Sequence, residues 1–176
     1  QIGWKMKIEQ LTVNIGAQVH GVQLSSMDEN TFEAIQKGLW KHQVLVFRDQ
    51  KLSQAEHLSF GRRFGELHMH PSLVGKHEHP EELIIKNRGK SKTVTEVWHS
   101  DVSCDPRPPS ISILRAVEVP EFGGDTLWAS QYAAFESLSS GLRQLLLPLQ
   151  ALHENYDMST AHPVVRVHPE TGRPAL

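Results

Sequence analysis

One cysteine in 176 residues, Cys104, excludes an intramolecular disulfide and any zinc cluster built on several thiolates. A metal held by this chain must therefore use histidine and carboxylate ligands. No apolar run approaches the roughly 20 residues that a membrane-crossing helix requires, so no membrane association is expected. Residues 1–10, QIGWKMKIEQ, lack the apolar stretch of a signal peptide, and the expected location is the cytoplasm. Positive charge is not in excess either: 18 Lys and Arg stand against 20 Asp and Glu, for a net charge of -2. Such a balance provides no field for gathering a phosphate backbone, and nucleic acid is not an expected partner. A glycine-rich phosphate loop between a strand and a helix is missing as well. GGDTLW, at 123–128, leads into a strand-like run, which removes the Rossmann and P-loop readings.

What is present is the composition of one globular domain, 39% hydrophobic and 22% charged, long enough for a real core. KMKIEQLTV alternates loosely and predicts a strand running into turns at Gly16 and Gly21. From Asp28 to His42, Phe32, Ile35, Leu39 and Trp40 recur at helical spacing, with Asp28 and Asn30 as candidate caps. QVLVFR (43–48) reads as a strand buried on both faces. Ser53 and Glu56 form a capping box for a helix that reaches Phe64 and stops at Gly65. Further strands are predicted at ELIIKN (82–87), SISILRAVEV (110–119) and GGDTLWAS (123–130), with a polar loop at 88–96. Helices are predicted at 131–137 and 140–147, with Tyr132, Phe135, Leu142 and Leu145 facing the core. HPVVRVHPETGRPAL closes as a strand, a turn and a returning strand. Early helices followed by many strands argue for a β core with flanking helices rather than alternating βαβ units.

The stretch with chemical promise is EVWHSDVSCDPRPPS, 96–110. In extended backbone, residues two apart point to the same side, so His99 and Asp101 project together. A non-haem Fe(II) oxygenase takes two histidines and one carboxylate on one face of the metal and leaves the other positions open. His-x-Asp supplies two of these three ligands, although the bare tripeptide is far more often simply the polar end of a strand. A zinc site among His68, His70, His77 and His79 is disfavoured, because no cysteine or acidic partner is fixed among them.

Context adds to the tripeptide. Trp98 precedes it, PRPPS follows it, and SISILRAVEVP and GGDTLWAS come next in order. With IGAQVHGVQL, HQVLVFRDQ, FGRRFGELHMHP and HPVVRVHPETGRPAL, these stretches resemble the taurine dioxygenase (TauD/TfdA) family of Fe(II)/2-oxoglutarate-dependent dioxygenases over nearly the whole chain. The resemblance implies a mainly β fold with flanking helices, the double-stranded β-helix or jelly roll. It implies Fe(II) as cofactor, 2-oxoglutarate as co-substrate, dioxygen, and a small anionic organic substrate (sulfonate, alkyl sulfate or carboxylate) hydroxylated with release of succinate and CO2. Carried over residue by residue, it makes His99 and Asp101 the metal ligands and Thr126 the hydroxyl that holds a carboxylate of 2-oxoglutarate. His70 and Val102 become substrate-binding, His68 structural, and Trp98 and Trp128 neighbours of the metal site.

Departures from the family pattern narrow this. Leu73 and Thr95 stand where taurine-specific members carry a tyrosine and an asparagine, which disfavours taurine and makes one wall of the substrate site apolar. LHENYDM (152–158) has a faint likeness to alkylsulfatase-like members. The resemblance puts a third ligand histidine and a 2-oxoglutarate-binding arginine beyond HPETGRPAL, and His162 and His168 lie too early to replace that ligand. The expectation is thus a single domain over 1–176, incomplete at its C-terminus and short of a loop near 157–161. A non-catalytic jelly-roll module that binds a small anion and a zinc hydrolase are the competing readings, and homo-oligomerisation stays open.

Overall fold

The computed structural model describes residues 6–74, 79–86 and 97–176. They divide into two compact units, one of Gln1–His57, Ala116–Leu149 and Pro163–Leu176, the other of Leu58–Arg115 and Gln150–His162.

The first unit is built on a three-stranded sheet in the order β1-β2-β3. Strands β1 (Lys7–Gln10) and β2 (Ala17–His20) run antiparallel, with Lys7 opposite His20 and Gln10 opposite Ala17. The turn between them closes where the Leu11 N–H donates to the Gly16 carbonyl, with Gly16 at φ +92°. Strand β3 (Leu45–Phe47) lies parallel to β2, and a parallel pair needs a crossover, here helix α1 (Glu29–His42). Asp28 caps α1 by accepting from the Thr31 N–H at 2.8 Å, as its position ahead of the apolar periodicity predicts. Phe32 and Ile35 are buried with Ala17 and Val19, and Ile35 is only 1% exposed. Close approach is needed at Gly38, where a Cβ would come within 2.6 Å of Ile8 Cδ1. β3 is half-buried rather than covered on both faces, because it takes an edge of this sheet.

Helix α2 (Gln54–Arg62) begins in the expected capping box. The Ser53 N–H and hydroxyl donate to Glu56 Oε2 at 2.8 and 2.7 Å, and the Glu56 N–H donates back to Ser53 Oγ at 3.3 Å. Helices α3 (Gln131–Ser137) and α4 (Ser140–Leu146) are capped by Ser130 and Ser139. Tyr132 and Phe135 are buried as predicted, whereas Leu142 and Leu145 are exposed. The reason lies in Arg143, whose guanidinium sits 5.6 Å from the Phe135 ring centroid and donates to the Leu138 carbonyl, so α4 meets α3 through this residue instead of its leucines. The closing strand, turn and strand appear as β6 (Arg166–Val167) and β7 (Pro174–Ala175), antiparallel around Gly172 at φ +67°.

In the second unit, which holds all of their residues but Pro163, β4 (Gln150–Asn155) and β5 (Met158–Pro163) form a hairpin that hydrophobic patterning does not announce. Its two central residues, Tyr156 and Asp157, have φ of +50° and +60°, the twist that suits a two-residue hairpin turn. Three predicted strands are absent as paired elements: the described part of 82–87 (82–86), 110–119 and 123–130 have no ladder among the described residues. Residues 110–116 still alternate exposed and half-buried, so the backbone has strand periodicity without a neighbour to complete the bonds. Leu83, Ile84, Leu114, Val117, Val119 and Leu127 are correspondingly exposed. Asn87 and the predicted loop at 88–96 contain residues 87–96, outside those described.

Candidate metal centre

His99 and Asp101 do not sit on a paired strand. Residues 98–100 are irregular, and Asp101 opens a turn through Cys104. The expected same-side projection survives this change, since His99 Nε2 lies 3.3 Å from Asp101 Oδ1. Both side chains are about half exposed. His99 Nδ1 is 2.7 Å from the Val97 carbonyl oxygen, which can only accept, so this nitrogen carries the ring proton. In the neutral ring, Nε2 then presents its lone pair toward Asp101. The other carboxylate oxygen, Oδ2, accepts from the Ser112 hydroxyl at 2.5 Å.

These two donors fit a transition metal. Ligands about 2.1 Å from one ion and adjacent in an octahedral shell are separated by roughly 3.0 Å, close to the Nε2 to Oδ1 distance found here. Holding Nδ1 on a backbone carbonyl is the usual way a metal-binding histidine is oriented. Among the described residues, no group of three or more His, Cys, Asp or Glu is placed to hold a metal ion.

The turn that carries Asp101 is strongly held. Val102 adopts φ +47°, a left-handed conformation that a β-branched residue rarely takes. It is half-buried in a turn rather than within a strand, and the Asp105 N–H donates to its carbonyl at 3.0 Å. His68 Nε2 lies 3.3 Å from Asp105 Oδ2, while His162 Nε2 donates to the Asp105 carbonyl at 3.1 Å. Thr160 donates to the Cys104 carbonyl at 2.7 Å, and His153 Nδ1 lies 3.0 Å from Ser103 Oγ. The Arg107 N–H, and then His68, hold the Asp105 carboxyl below the usual carboxylate range. The structural assignment of His68 is thus accounted for. Ser112, Thr160 and His153 are polar partners that no sequence motif marks.

His70 belongs to the same unit. Its Nδ1 lies 2.8 Å from the Ser72 hydroxyl and receives the Ser72 N–H at 3.3 Å, which leaves Nε2 as the protonated nitrogen of the neutral ring. Burial, then the neighbouring His68, pushes its pKa down, and the Asp101 carboxylate opposes them. The Tyr156 ring stands edge-on at 5.3 Å. The Leu73 N–H donates to the His70 carbonyl, which puts the half-buried Leu73 one turn away. Thr126 lies in the first unit, exposed in the unpaired segment 123–130. Trp98 is 70% exposed and Trp128 47%, so neither is packed as expected. The extended segments that carry them have no covering layer among the described residues. His77 and Thr95 are outside the described residues.

Comparison with known proteins adds independent findings. The profile of the Taurine catabolism dioxygenase TauD, TfdA family matches residues 7–176. An alkylsulfatase of Acinetobacter baylyi is 34% identical over 199 aligned positions that cover 98% of this chain and 62% of the relative. An alpha-ketoglutarate-dependent sulfate ester dioxygenase of Pseudomonas putida is also 34% identical, covering 98% of this chain and 65% of its own length. The crystal structure of a taurine dioxygenase from Burkholderia xenovorans superposes with a TM-score of 0.85 at 36% identity, covering 97% of this chain and 62% of that one. A further structure, AAD-2 in complex with Mn(II) and N-oxalylglycine, superposes with a TM-score of 0.78 at 25% identity, over 98% of this chain and 68% of its own. The chain therefore spans less than two thirds of the length of the two curated relatives named here.

Proposed function

The chain belongs to the TauD/TfdA family of dioxygenases, and from that premise we propose that it is the larger part of an Fe(II)- and 2-oxoglutarate-dependent dioxygenase acting on a small anionic organic substrate. The observation that carries the proposal is the pair of electron donors, His99 Nε2 and Asp101 Oδ1, at 3.3 Å. In this reading they hold Fe(II), which with 2-oxoglutarate and dioxygen supplies the oxidising chemistry that yields succinate, CO2 and a hydroxylated substrate.

The protein's own groups bind and orient. The Thr126 hydroxyl donates to a carboxylate of 2-oxoglutarate. His70, neutral and protonated on Nε2, donates to an anionic oxygen of the substrate, and burial favours this form because it costs less than an imidazolium. Val102 lines the same site, its left-handed backbone turning the chain directly after the ligand Asp101. Leu73 contributes an apolar surface one turn from His70, which favours an alkyl or aryl body behind the anion over a short aminosulfonate. Sulfate esters are the substrate class to examine first, in keeping with the printed activities of the Acinetobacter and Pseudomonas relatives. For a sulfate ester, hydroxylation at the ester carbon gives a product that collapses to an aldehyde and sulfate.

The jelly roll of the complete enzyme would supply a third ligand histidine and a 2-oxoglutarate-binding arginine from further chain. The unpaired extended segments at 82–86, 110–119 and 123–130 support this, as does the greater length of the relatives. The expected setting is the cytoplasm. The test uses the full-length protein. Under anaerobic conditions, Fe(II) with 2-oxoglutarate should produce a weak visible charge-transfer band, and with dioxygen succinate release should depend on a member of an alkyl sulfate, sulfonate and carboxylate panel. A protein that binds the anions without forming the band or succinate is a non-catalytic binding module, and one active without dioxygen is a hydrolase.

A further inference from the structure

We propose that Ser112 is a positioning residue that keeps Asp101 monodentate on the metal; this rests on the site reading above. Asp101 has two carboxylate oxygens with different partners. Oδ1 faces His99 Nε2 at 3.3 Å, whereas Oδ2 accepts the Ser112 hydroxyl proton at 2.5 Å. A short bond from a neutral hydroxyl to a carboxylate is strong for its type, and it occupies the lone pair that a second metal bond would use. The bond spans eleven residues and joins two different segments, so neighbouring chain geometry does not produce it.

The consequence is coordination number. A carboxylate that binds through one oxygen leaves the opposite face of the metal for a chelating co-substrate and dioxygen. A carboxylate free to rotate binds through both and takes one of those positions. Ser112 thus selects the open form of the site, and its placement follows from the 110–116 alternation: Ser110, Ser112 and Leu114 share the exposed side, whereas Ile111, Ile113 and Arg115 are half-buried. Nothing else in that run presents a hydroxyl to Asp101 among the described bonds.

The experiment compares wild type, Ser112→Ala, Ser112→Thr and Ser112→Val in the full-length protein, all anaerobic. Fe(II) affinity is titrated first, then 2-oxoglutarate affinity by the visible charge-transfer band, with thermal unfolding as a control for folding. Loss of this partner is expected to weaken 2-oxoglutarate binding by about tenfold or more in the Ala and Val forms, whereas Fe(II) binding, with a second carboxylate oxygen released to the metal, does not weaken. The band should shift in position, and the Thr form, which keeps the hydroxyl, should stay near wild type. A residue that merely supports the fold would change the unfolding temperature and leave the band unmoved. Should Ala fail to fold, the Thr and Val pair, equal in shape, decides alone. Wild-type affinities and band in the Val form overturn the role of Ser112 while leaving the metal site standing. A wild-type protein that forms no band at all overturns the metal site, and the role of Ser112 with it.

Discussion

Two regions of this molecule obey different rules. The sheet and helix of residues 7–47 complete themselves: each strand is paired, α1 is capped, and Ile35 is buried within the same stretch of chain. The unpaired runs at 98–119 and 123–130 do not, and Trp98, Val117, Val119 and Leu127 stand exposed along them. Yet the proposed ligands His99 and Asp101 and the proposed co-substrate residue Thr126 all lie in the second kind of region. Stability lies where contacts are local, and the candidate chemistry sits in unpaired chain whose side chains are accessible. A site that must admit a metal, a co-substrate and a substrate needs donors that are not consumed by packing or by a ladder.

Breaking the contrast from the site side should give the largest effect. Asp101→Ala in the full-length protein is expected to abolish the Fe(II) and 2-oxoglutarate band and succinate release, with little change in unfolding temperature. Surface changes away from structural features usually stay within about 0.5 kcal/mol of neutral. From the packed side, Ile35→Ala should cost about 2–5 kcal/mol in urea unfolding because it leaves a cavity beneath α1. Leu114→Ala, made in a run that is exposed here, should cost less than about 0.5 kcal/mol in this chain. If Leu114 proves as costly as Ile35, the second region is covered in solution and the contrast fails.

His70→Ala should lower kcat/KM for the anionic substrate by about tenfold to a hundredfold, the worth of roughly 1.5–3 kcal/mol for a hydrogen bond to a charged group. The Fe(II) and 2-oxoglutarate band should be unchanged, and a loss of that band would make His70 part of the metal site instead. Asp28→Ala should cost about 1 kcal/mol, the usual worth of a helix cap.

The smallest effect is a matter of pH. The Ser53 hydroxyl, then its N–H, holds the Glu56 carboxyl below its ordinary value. The folded form therefore binds this proton less readily than the unfolded chain, and stability from the box is present above the unfolded pKa and lost as pH falls through the folded one. Glu56→Gln should flatten that part of the acid unfolding profile; an unaltered profile would show that the exposed box contributes nothing measurable.

Local signals were legible in the residues themselves. Asp28 before an apolar periodicity and Ser53 with Glu56 each involve groups within one helical turn, where spacing alone decides which atoms meet. Arg143 shows the limit: two leucines at helical spacing made a plausible apolar face, but the contact with Phe135 turned them outward. The hairpin at 150–163 was missed because its turn is made by Tyr156 and Asp157 in left-handed backbone, residues without the usual Asn-Gly signature.

For the site, the sequence by itself marked His99 and Asp101 as candidate ligands, two residues apart within an ordered series of family-like motifs. It also determined the family, through an ordered series of short motifs that spans nearly the whole chain. Only the tertiary structure decided that Ser112 takes the second oxygen of Asp101. Only it decided, too, that histidines 68 and 162 serve the turn at Asp105. The physical reason is distance along the chain: a hydrogen bond between residues eleven, 37 or 57 apart depends on how whole segments pack, which no local periodicity encodes.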